Sequence, residues 1–323
     1  MTTTQESENK LLAKFAVVIP VYKNEASLPE LFEHLGKVAA QLDGRLRVVF
    51  VDDCSPDNSA TLILSRKLIS EFEIELVRHS RNFGSFTAIR TGLKFAKADY
   101  VGVISADLQE SPSLLIEFFL KLQEGSTDIV FGRRKSRQDP IVSKLFSSLY
   151  WKIYRKFINR DIPVGGVDLF ACTREVVKIV NSLTEGRTSL IGMLFWVGFR
   201  RSFVDYSRNS RRFGKSSWSF RKKFEYMSDS IFSFSDLPIR FIRLIGVIGT
   251  FFAVLMSGIL LFLSWTNSID VPGYAPLMLA IILGNSANLL ALGVLGSYIW
   301  RSFELAQSRP LAILRVNAEN EYS

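Results

Sequence analysis

The chain reads as an α/β protein: a cytoplasmic domain built on a mostly parallel sheet, then a basic interfacial segment with amphipathic helices, then two transmembrane helices. Three observations predict it. From residue 15 to residue 131, short apolar β-rich runs alternate with amphipathic helical stretches, the pattern of a parallel sheet with helices on both faces. A polar cluster follows each of those runs, and residues at the carboxyl ends of strands in open α/β sheets converge on one crevice. Finally, no charged residue occurs from Leu244 to Trp265, nor from Val271 to Trp300.

The elements follow in order. Residues 1–14 form a polar N-terminal tail without an apolar signal-peptide core. Phe15–Pro20 is the first strand. Ser27-Leu-Pro-Glu30 has the form of a capping box and opens a helix to about Leu42. Leu46–Val51 is the second strand, with a helix through about Ser70. Ile74–Arg78 is the third, with a helix over Ser85–Lys97. Tyr100–Ile104 is the fourth; Ser111-Pro112 then start a helix to about Gln123, and Ile129–Phe131 is the fifth. The catalytic-type domain is expected to run over 15–206, the interfacial segment over 207–240, the two spans over 241–302 and a cytoplasmic tail over 303–323.

The first charge-free run is 22 residues long. As a helix it would span about 33 Å, at about 1.5 Å per residue, against a bilayer core of about 30 Å. Asn285 and Asn288 in the second run suit contact with another helix, as do Gly284, Ser286, Ala287, Gly293 and Gly296. These helices are therefore expected to support a homo-oligomer. Arg240 and Arg243 precede the first span, and Arg301, Arg309 and Arg315 follow the second. The positive-inside rule then places both termini in the cytoplasm, as an integral membrane protein of the cell inner membrane if the source is bacterial. Cys54 and Cys172 in such a compartment make neither a disulfide nor a zinc site.

The net charge of +9 fits nucleic acid or an anionic membrane. Arg200, Arg201, Arg208, Arg211, Arg212, Lys215, Arg221, Lys222 and Lys223 crowd the region before the spans, interleaved with Phe213, Trp218, Phe220 and Phe224. That mixture suits headgroups of an anionic bilayer, and no nucleic-acid-binding signature accompanies it. A solvated charged surface is the other reading.

The clusters after the strands are Tyr22 and Glu25; Asp52 and Asp53; Arg81, Asn82 and Gly84; Asp107 and Gln109; Arg133 and Arg134. Asp52 and Asp53 can accept from a base N–H or a ribose hydroxyl. If the segment is extended, Asp107 and Gln109 point the same way, and two hard oxygens suit a divalent cation on a diphosphate. The competing reading of Asp107 and Ser111 is a helix N-cap. Arg133 and Arg134 can neutralise phosphate. There is no G-x-G-x-x-G after the first strand and no G-x-x-x-x-G-K-[ST], which disfavours a dinucleotide oxidoreductase and a P-loop NTPase. His34 and His79 stand alone in the sequence and read as structural.

Several of these stretches resemble a known family. V-V-I-P-V-Y-K-N-E (17–25), V-D-D-C-S-P-D (51–57), S-R-N-F-G (80–84), A-D-L-Q-E-S-P (106–112), F-G-R-R-K-S-R (131–137), R-R-F-G-K-S-S-W (211–218) and I-F-S-F-S-D-L-P (231–238) are similar to those of family 2 glycosyltransferases with the GT-A fold. The branch is that of the polyprenyl-phosphate glycosyltransferases, dolichol-phosphate mannose synthases and bactoprenol glucosyltransferases. The resemblance implies inverting transfer of a sugar, glucose from UDP-glucose first among them, to undecaprenyl or another polyprenyl phosphate, with Mg²⁺ or Mn²⁺. It implies nucleotide contacts from Pro20, Tyr22, Glu25, Asp53 and Asp107, and metal contacts from Asp107 and Gln109. Arg133, Arg211 and Ser216 match positions near the phosphates or the acceptor.

The chain departs from the family pattern in three places. Ser105 stands where D-A-D-L-Q begins with Asp. Ser217 stands for a Lys, for which Lys215 can substitute. G-G-V-D-L-F (165–170) places Phe170 where an acceptor Arg is expected, which shifts weight to Arg133 or Arg134. Asp168, in register with that segment, faces the sugar or merely closes a turn. Two other functions stay open: a polysaccharide synthase, whose Q-x-x-R-W motif is not found, and a degenerate nucleotide-binding membrane scaffold, suggested by Ser105.

Overall fold

The computed structural model describes residues 13–134, 162–163, 167–183, 189–207, 237–265, 273–307 and 309–315. The chain divides into two compact units, Met1–Tyr226 with Pro310–Ser323, and Met227–Arg309.

The first unit carries the sheet. In chain order its elements are β1 (Ala13–Val21), α1 (Leu28–Gln41), β2 (Leu46–Asp52), α2 (Ser59–Lys67), β3 (Glu73–Arg78), α3 (Ser85–Phe95) and β4 (Ala98–Val103). They continue with α4 (Leu114–Gln123), β5 (Ile129–Arg134), β6 (Val167–Thr173), α5 (Arg174–Ser182), α6 (Leu190–Trp196) and β7 (Arg201–Tyr206). The strand order is β3-β2-β1-β4-β6-β5-β7. β1, β2, β3 and β4 pair in parallel, as do β5 and β7. β6 runs antiparallel to both β4 and β5. Six strands therefore end at one edge, and β6 begins there.

The strands pack on both faces, as parallel strands with covering helices must. Val17 and Ile19 of β1, with Val48 and Phe50 of β2, join Leu31, Leu35, Leu115 and Phe118 from α1 and α4. Val18, Val49 and Val51 face the other way, with Ala88, Leu93, Val176 and Leu194 from α3, α5 and α6. α3 lies so close to β1 that a Cβ at Gly92 would come within 2.2 Å of Val18 Cγ1, which explains a glycine inside a helix.

Several sequence expectations change. The fifth strand continues to Arg134, so Arg133 and Arg134 lie inside β5 rather than beyond it. β6 inserts between β4 and β5. The capping box at Ser27 does not form; Ser27 Oγ makes no cap bond and instead donates to Ala106 O at 2.7 Å. The helix after Ser111 starts only at Leu114, seven positions past Asp107, which removes the N-cap reading of that carboxylate.

The second unit contains α7 (Leu237–Trp265, 29 residues) and α8 (Tyr274–Ala306, 33 residues), longer by a few residues at each outer end than the expected 241–302. Among the described residues no helix is long and apolar enough to cross a membrane. Of the interfacial segment expected over 207–240, residues 208–236 lie outside the described residues.

Candidate active site

The carboxyl edge of the sheet gathers four loops. The first follows β1. Pro20 is in register with Val51 near the end of the strand. Tyr22 is 37% exposed, and Lys23 takes a left-handed φ of 59° beside it. Glu25 is half-buried and already engaged. Its two oxygens accept from the Asn58 backbone and side-chain N–H groups, each at 3.0 Å, which staples the β1 loop to the β2 loop.

The second loop follows β2. Asp52 is fully buried; its Oδ1 accepts from Ser55 N at 2.9 Å, and Arg78 Nε stands 3.5 Å from Oδ2. Asp53, 2% exposed, has both oxygens engaged. Oδ1 accepts from Phe83 N at 2.7 Å and faces His79 Nδ1 at 2.8 Å, while Oδ2 accepts from Gly84 N at 2.7 Å. Gly84 has φ 96°, a conformation that glycine adopts without steric cost. It is the residue from which α3 springs. Asp53 thus fixes the third loop, Ser80–Gly84, from below. Both aspartates are anchors of this edge rather than exposed acceptors.

His79 is the residue sequence reasoning set aside. It is fully buried, with Nε2 3.0 Å from Thr91 Oγ1. The chain Asp53–His79–Thr91 has the connectivity of a nucleophilic triad. Thr91 is only 7% exposed and faces the sheet from α3, so the chain is a brace and not a nucleophile. Asn82 is exposed on the loop that this brace supports. Arg81 lies over the Phe83 ring at 4.1 Å.

The fourth loop follows β4. Leu108 has φ 55°, so Asp107 and Gln109 do not lie along an extended strand as the i, i+2 reading requires. The chain turns: Leu108 packs on the core and Gln109 N–H folds back to Asp107 Oδ1 at 3.3 Å. Ser105 Oγ stands 2.7 Å from Asp107 Oδ1 and 2.5 Å from Glu110 Oε2. Glu110 is 3% exposed. Sequence reasoning missed it, because a Glu in a short loop before a helix reads as a solvated charge. Glu110 is thus joined to Asp107 through the Ser105 hydroxyl.

Arg133 is paired across the sheet. β5 and β7 align Arg133 with Asp205, and the guanidinium grips that carboxylate with Nε at 2.5 Å and Nη2 at 3.1 Å. The hydrogen bond that Arg133 donates to Asp205 raises its already high pKa. Arg134 is in register with Tyr206. Asp168 enters at the carboxyl edge because β6 is antiparallel. The register shifts between Phe131 and Arg133, which pair with Phe170 and Val167. β6 therefore holds the extra residue of a β-bulge at Asp168–Leu169, a feature frequent next to active sites. Arg211, Lys215 and Ser216 lie outside the described residues. Of the basic belt, Arg200 and Arg201 lie among the described residues. Arg200 pairs with Asp128 at 2.8 Å, and Arg201 lies over the Phe195 ring at 5.1 Å.

An open concavity of about 690 Å³ lies at the opposite edge, lined by Lys14, Arg45, Glu71, Glu73 and Asp99 among others. Its charges are mixed and it sits at the amino ends of the strands, so the chemistry favours the carboxyl edge. Among the described residues, no three His, Cys, Asp or Glu side chains cluster as a metal cage. A set of Asp107, Glu110, Gln109 and Ser105 is all oxygen, which suits a hard cation that completes its shell with phosphate oxygens and water.

The model of the family described as Glycosyl transferase family 2 matches residues 16–179. An uncharacterized glycosyltransferase of Synechocystis is 33% identical over 302 residues, covering 93% of this chain and 94% of that one. An undecaprenyl-phosphate 4-deoxy-4-formamido-L-arabinose transferase of Proteus mirabilis is 30% identical over 302 residues, covering 92% and 91%. A prophage bactoprenol glucosyl transferase homolog of Escherichia coli is 26% identical over 303 residues, covering 94% and 98%.

Proposed function

Since the chain belongs to glycosyl transferase family 2, we propose that it transfers a sugar from a UDP-sugar to a polyprenyl phosphate at the cytoplasmic face of a membrane. The two relatives named for their substrates differ in sugar and agree on a polyprenyl acceptor, so the acceptor is the better supported half. Glucose from UDP-glucose is the donor proposed first. One observation carries the reading: Asp107 and Glu110 meet through Ser105 at the sheet edge where the Asp53-braced loop also ends.

The chemistry requires no general base. The second pKa of a phosphate monoester is about 6, so a lipid phosphate is mostly dianionic at pH 7 and is already the nucleophile. One of its oxygens attacks the anomeric carbon while the bond from that carbon to the diphosphate oxygen breaks, and the electron pair leaves with UDP. Attack opposite the leaving group inverts the centre. Asp107, with Gln109 and Glu110, would hold Mg²⁺ or Mn²⁺, which when bound supplies positive charge to the leaving diphosphate. Ser105 keeps the two carboxylates in place. The Ser80–Gly84 loop, with Asn82, and the Pro20–Tyr22 segment flank the nucleotide. Arg134, Arg211, Lys215 and Ser216 are the proposed contacts of the acceptor phosphate, and Asp168 that of the sugar.

The proposal includes two membrane spans. The charge-free run Leu244–Trp265 falls within α7, and most of Val271–Trp300 falls within α8. Phe251, Leu289 and Ile299 are among their exposed apolar residues. Helices of 29 and 33 residues are about 44 and 50 Å long at about 1.5 Å per residue, against a bilayer core of about 30 Å; the spans are proposed from that length and from the charge-free runs of the full sequence. Association of these helices into an oligomer belongs to the same proposal.

The test is UDP release from UDP-glucose in the presence of undecaprenyl phosphate and Mg²⁺. Asp107→Ala is expected to lose turnover by more than about 100-fold while the chain stays folded. Undiminished turnover in that variant would remove the carboxylate pair from the chemistry.

A further inference from the structure

The segment that follows α8 does not trail away. Leu314 forms an antiparallel bridge with His79. Ser80 N donates to Ile313 O at 2.9 Å, and Arg315 N donates to Arg78 O at 2.8 Å. β3 is one of the two outer strands of the sheet, and an outer strand exposes a row of unpaired backbone groups. Among the described residues, that row is covered at its carboxyl end, where the strand turns into the Ser80–Gly84 loop.

The backbone of this stretch can be followed group by group. Inward, His79 N donates to Asp52 O at 2.9 Å. Outward, Arg78 O and Ser80 N are taken by the segment from α8. Beyond them, Phe83 N and Gly84 N end on Asp53. The loop is thus held at its far end by Asp53 and at its near end by Ile313 and Arg315. Pro310–Arg315 groups with the sheet unit even though it follows the helical unit in the chain.

We propose that Pro310–Arg315 is a strap that holds the Ser80–Gly84 loop in its nucleotide-binding form, so that donor affinity depends on two backbone hydrogen bonds from a segment more than 200 residues away. The inference rests on the reading of this edge as the nucleotide site. The strap acts through peptide groups, which sets the design of the test. Arg315→Pro removes the N–H that reaches Arg78; Arg315→Ala keeps it.

The experiment measures UDP binding by calorimetry and amide exchange on the full-length chain in detergent. Arg315→Pro is expected to weaken UDP binding about fivefold, the effect of one lost backbone hydrogen bond, and to speed exchange at Ser80, Phe83 and Gly84. Arg315→Ala is expected to stay within about twofold of wild type. Coupling is reciprocal, so in the wild-type chain UDP must slow exchange at Arg315. That readout decides the matter if the proline variant fails to fold. The strap is refuted if Arg315→Pro binds UDP as tightly as wild type while Ser80 exchanges faster, or if UDP leaves exchange at Arg315 unchanged. Failure of the wild-type chain to bind UDP is a separate outcome: it overturns the nucleotide site itself, and the strap's role with it.

Discussion

Replacing Asp53 by Asn separates an anchor from a ligand. The carboxylate takes Phe83 N and Gly84 N at 2.7 Å and faces His79 Nδ1 at 2.8 Å, in a site 2% exposed. An Asn side chain offers one acceptor oxygen and one donor NH₂. If its oxygen keeps the Phe83 and His79 side, its NH₂ faces the Gly84 N–H. One hydrogen bond to a charged acceptor is lost, about 1.5–3 kcal/mol, and a buried N–H is left facing a donor, at about 1–3 kcal/mol. These overlap, so about 3 kcal/mol is the working figure. For a domain of this size about 1 kcal/mol moves Tm by roughly 2–4 °C, which gives a drop of roughly 6–12 °C. Thermal unfolding of the full chain without nucleotide, with amide exchange at Phe83 and Gly84, measures it. A Tm within about 2 °C of wild type and unchanged exchange, with UDP binding alone weakened, would refute the anchor role and restore Asp53 as a nucleotide contact.

Three further outcomes are expected. Ser105→Ala, which cuts the link between Asp107 and Glu110, should weaken Mn²⁺ binding about 10–100-fold in a spectroscopic titration, the usual cost of removing a residue that orients ligands; unchanged binding would detach the serine from the metal. The hydrogen bond from Arg200 holds the Asp128 carboxyl below its ordinary value of 3.8 against a smaller opposing effect of burial. As pH falls the unfolded chain therefore binds the proton first, so the pair stabilises above about pH 4 and loses its effect below it. The Tm gap between wild type and Arg200→Ala should accordingly be open at pH 7 and close below about pH 4; a constant gap would contradict this. Burial pushes the Cys172 thiol up to about 12, so iodoacetamide at pH 8 should label the partly exposed Cys54 and spare Cys172 in the folded chain, as peptide mapping would show.

The parallel half of the sheet was legible because each strand is a contiguous apolar run ended by a turn, and both signals are local. β6 was not. Val167–Thr173 pairs with strands on either side only through long-range contacts, and nothing local makes it antiparallel. The convergence of loops at the carboxyl edge was legible for the same reason the strands were. The job of each carboxylate was not, since Glu25, Asp52 and Asp53 look alike in sequence to groups that bind a nucleotide. Their bonds to Asn58, Ser55 and Gly84 are visible only in the fold. The pairing of Arg133 was not legible because its partner, Asp205, is 72 residues away. Glu110 was missed because burial of a loop carboxylate depends on a turn made by the positive φ of Leu108, which no pattern announces.

The most direct measurement is mass spectrometry of the lipid fraction after the purified chain is incubated with undecaprenyl phosphate, Mg²⁺ and a panel of UDP-sugars. The expected result is an undecaprenyl-phosphate sugar formed with one preferred donor, UDP-glucose first among them, in step with UDP release. A chain that binds UDP yet forms no lipid-linked sugar with any donor would contradict the proposed transfer, and a long water-soluble glycan in its place would point to a polysaccharide synthase.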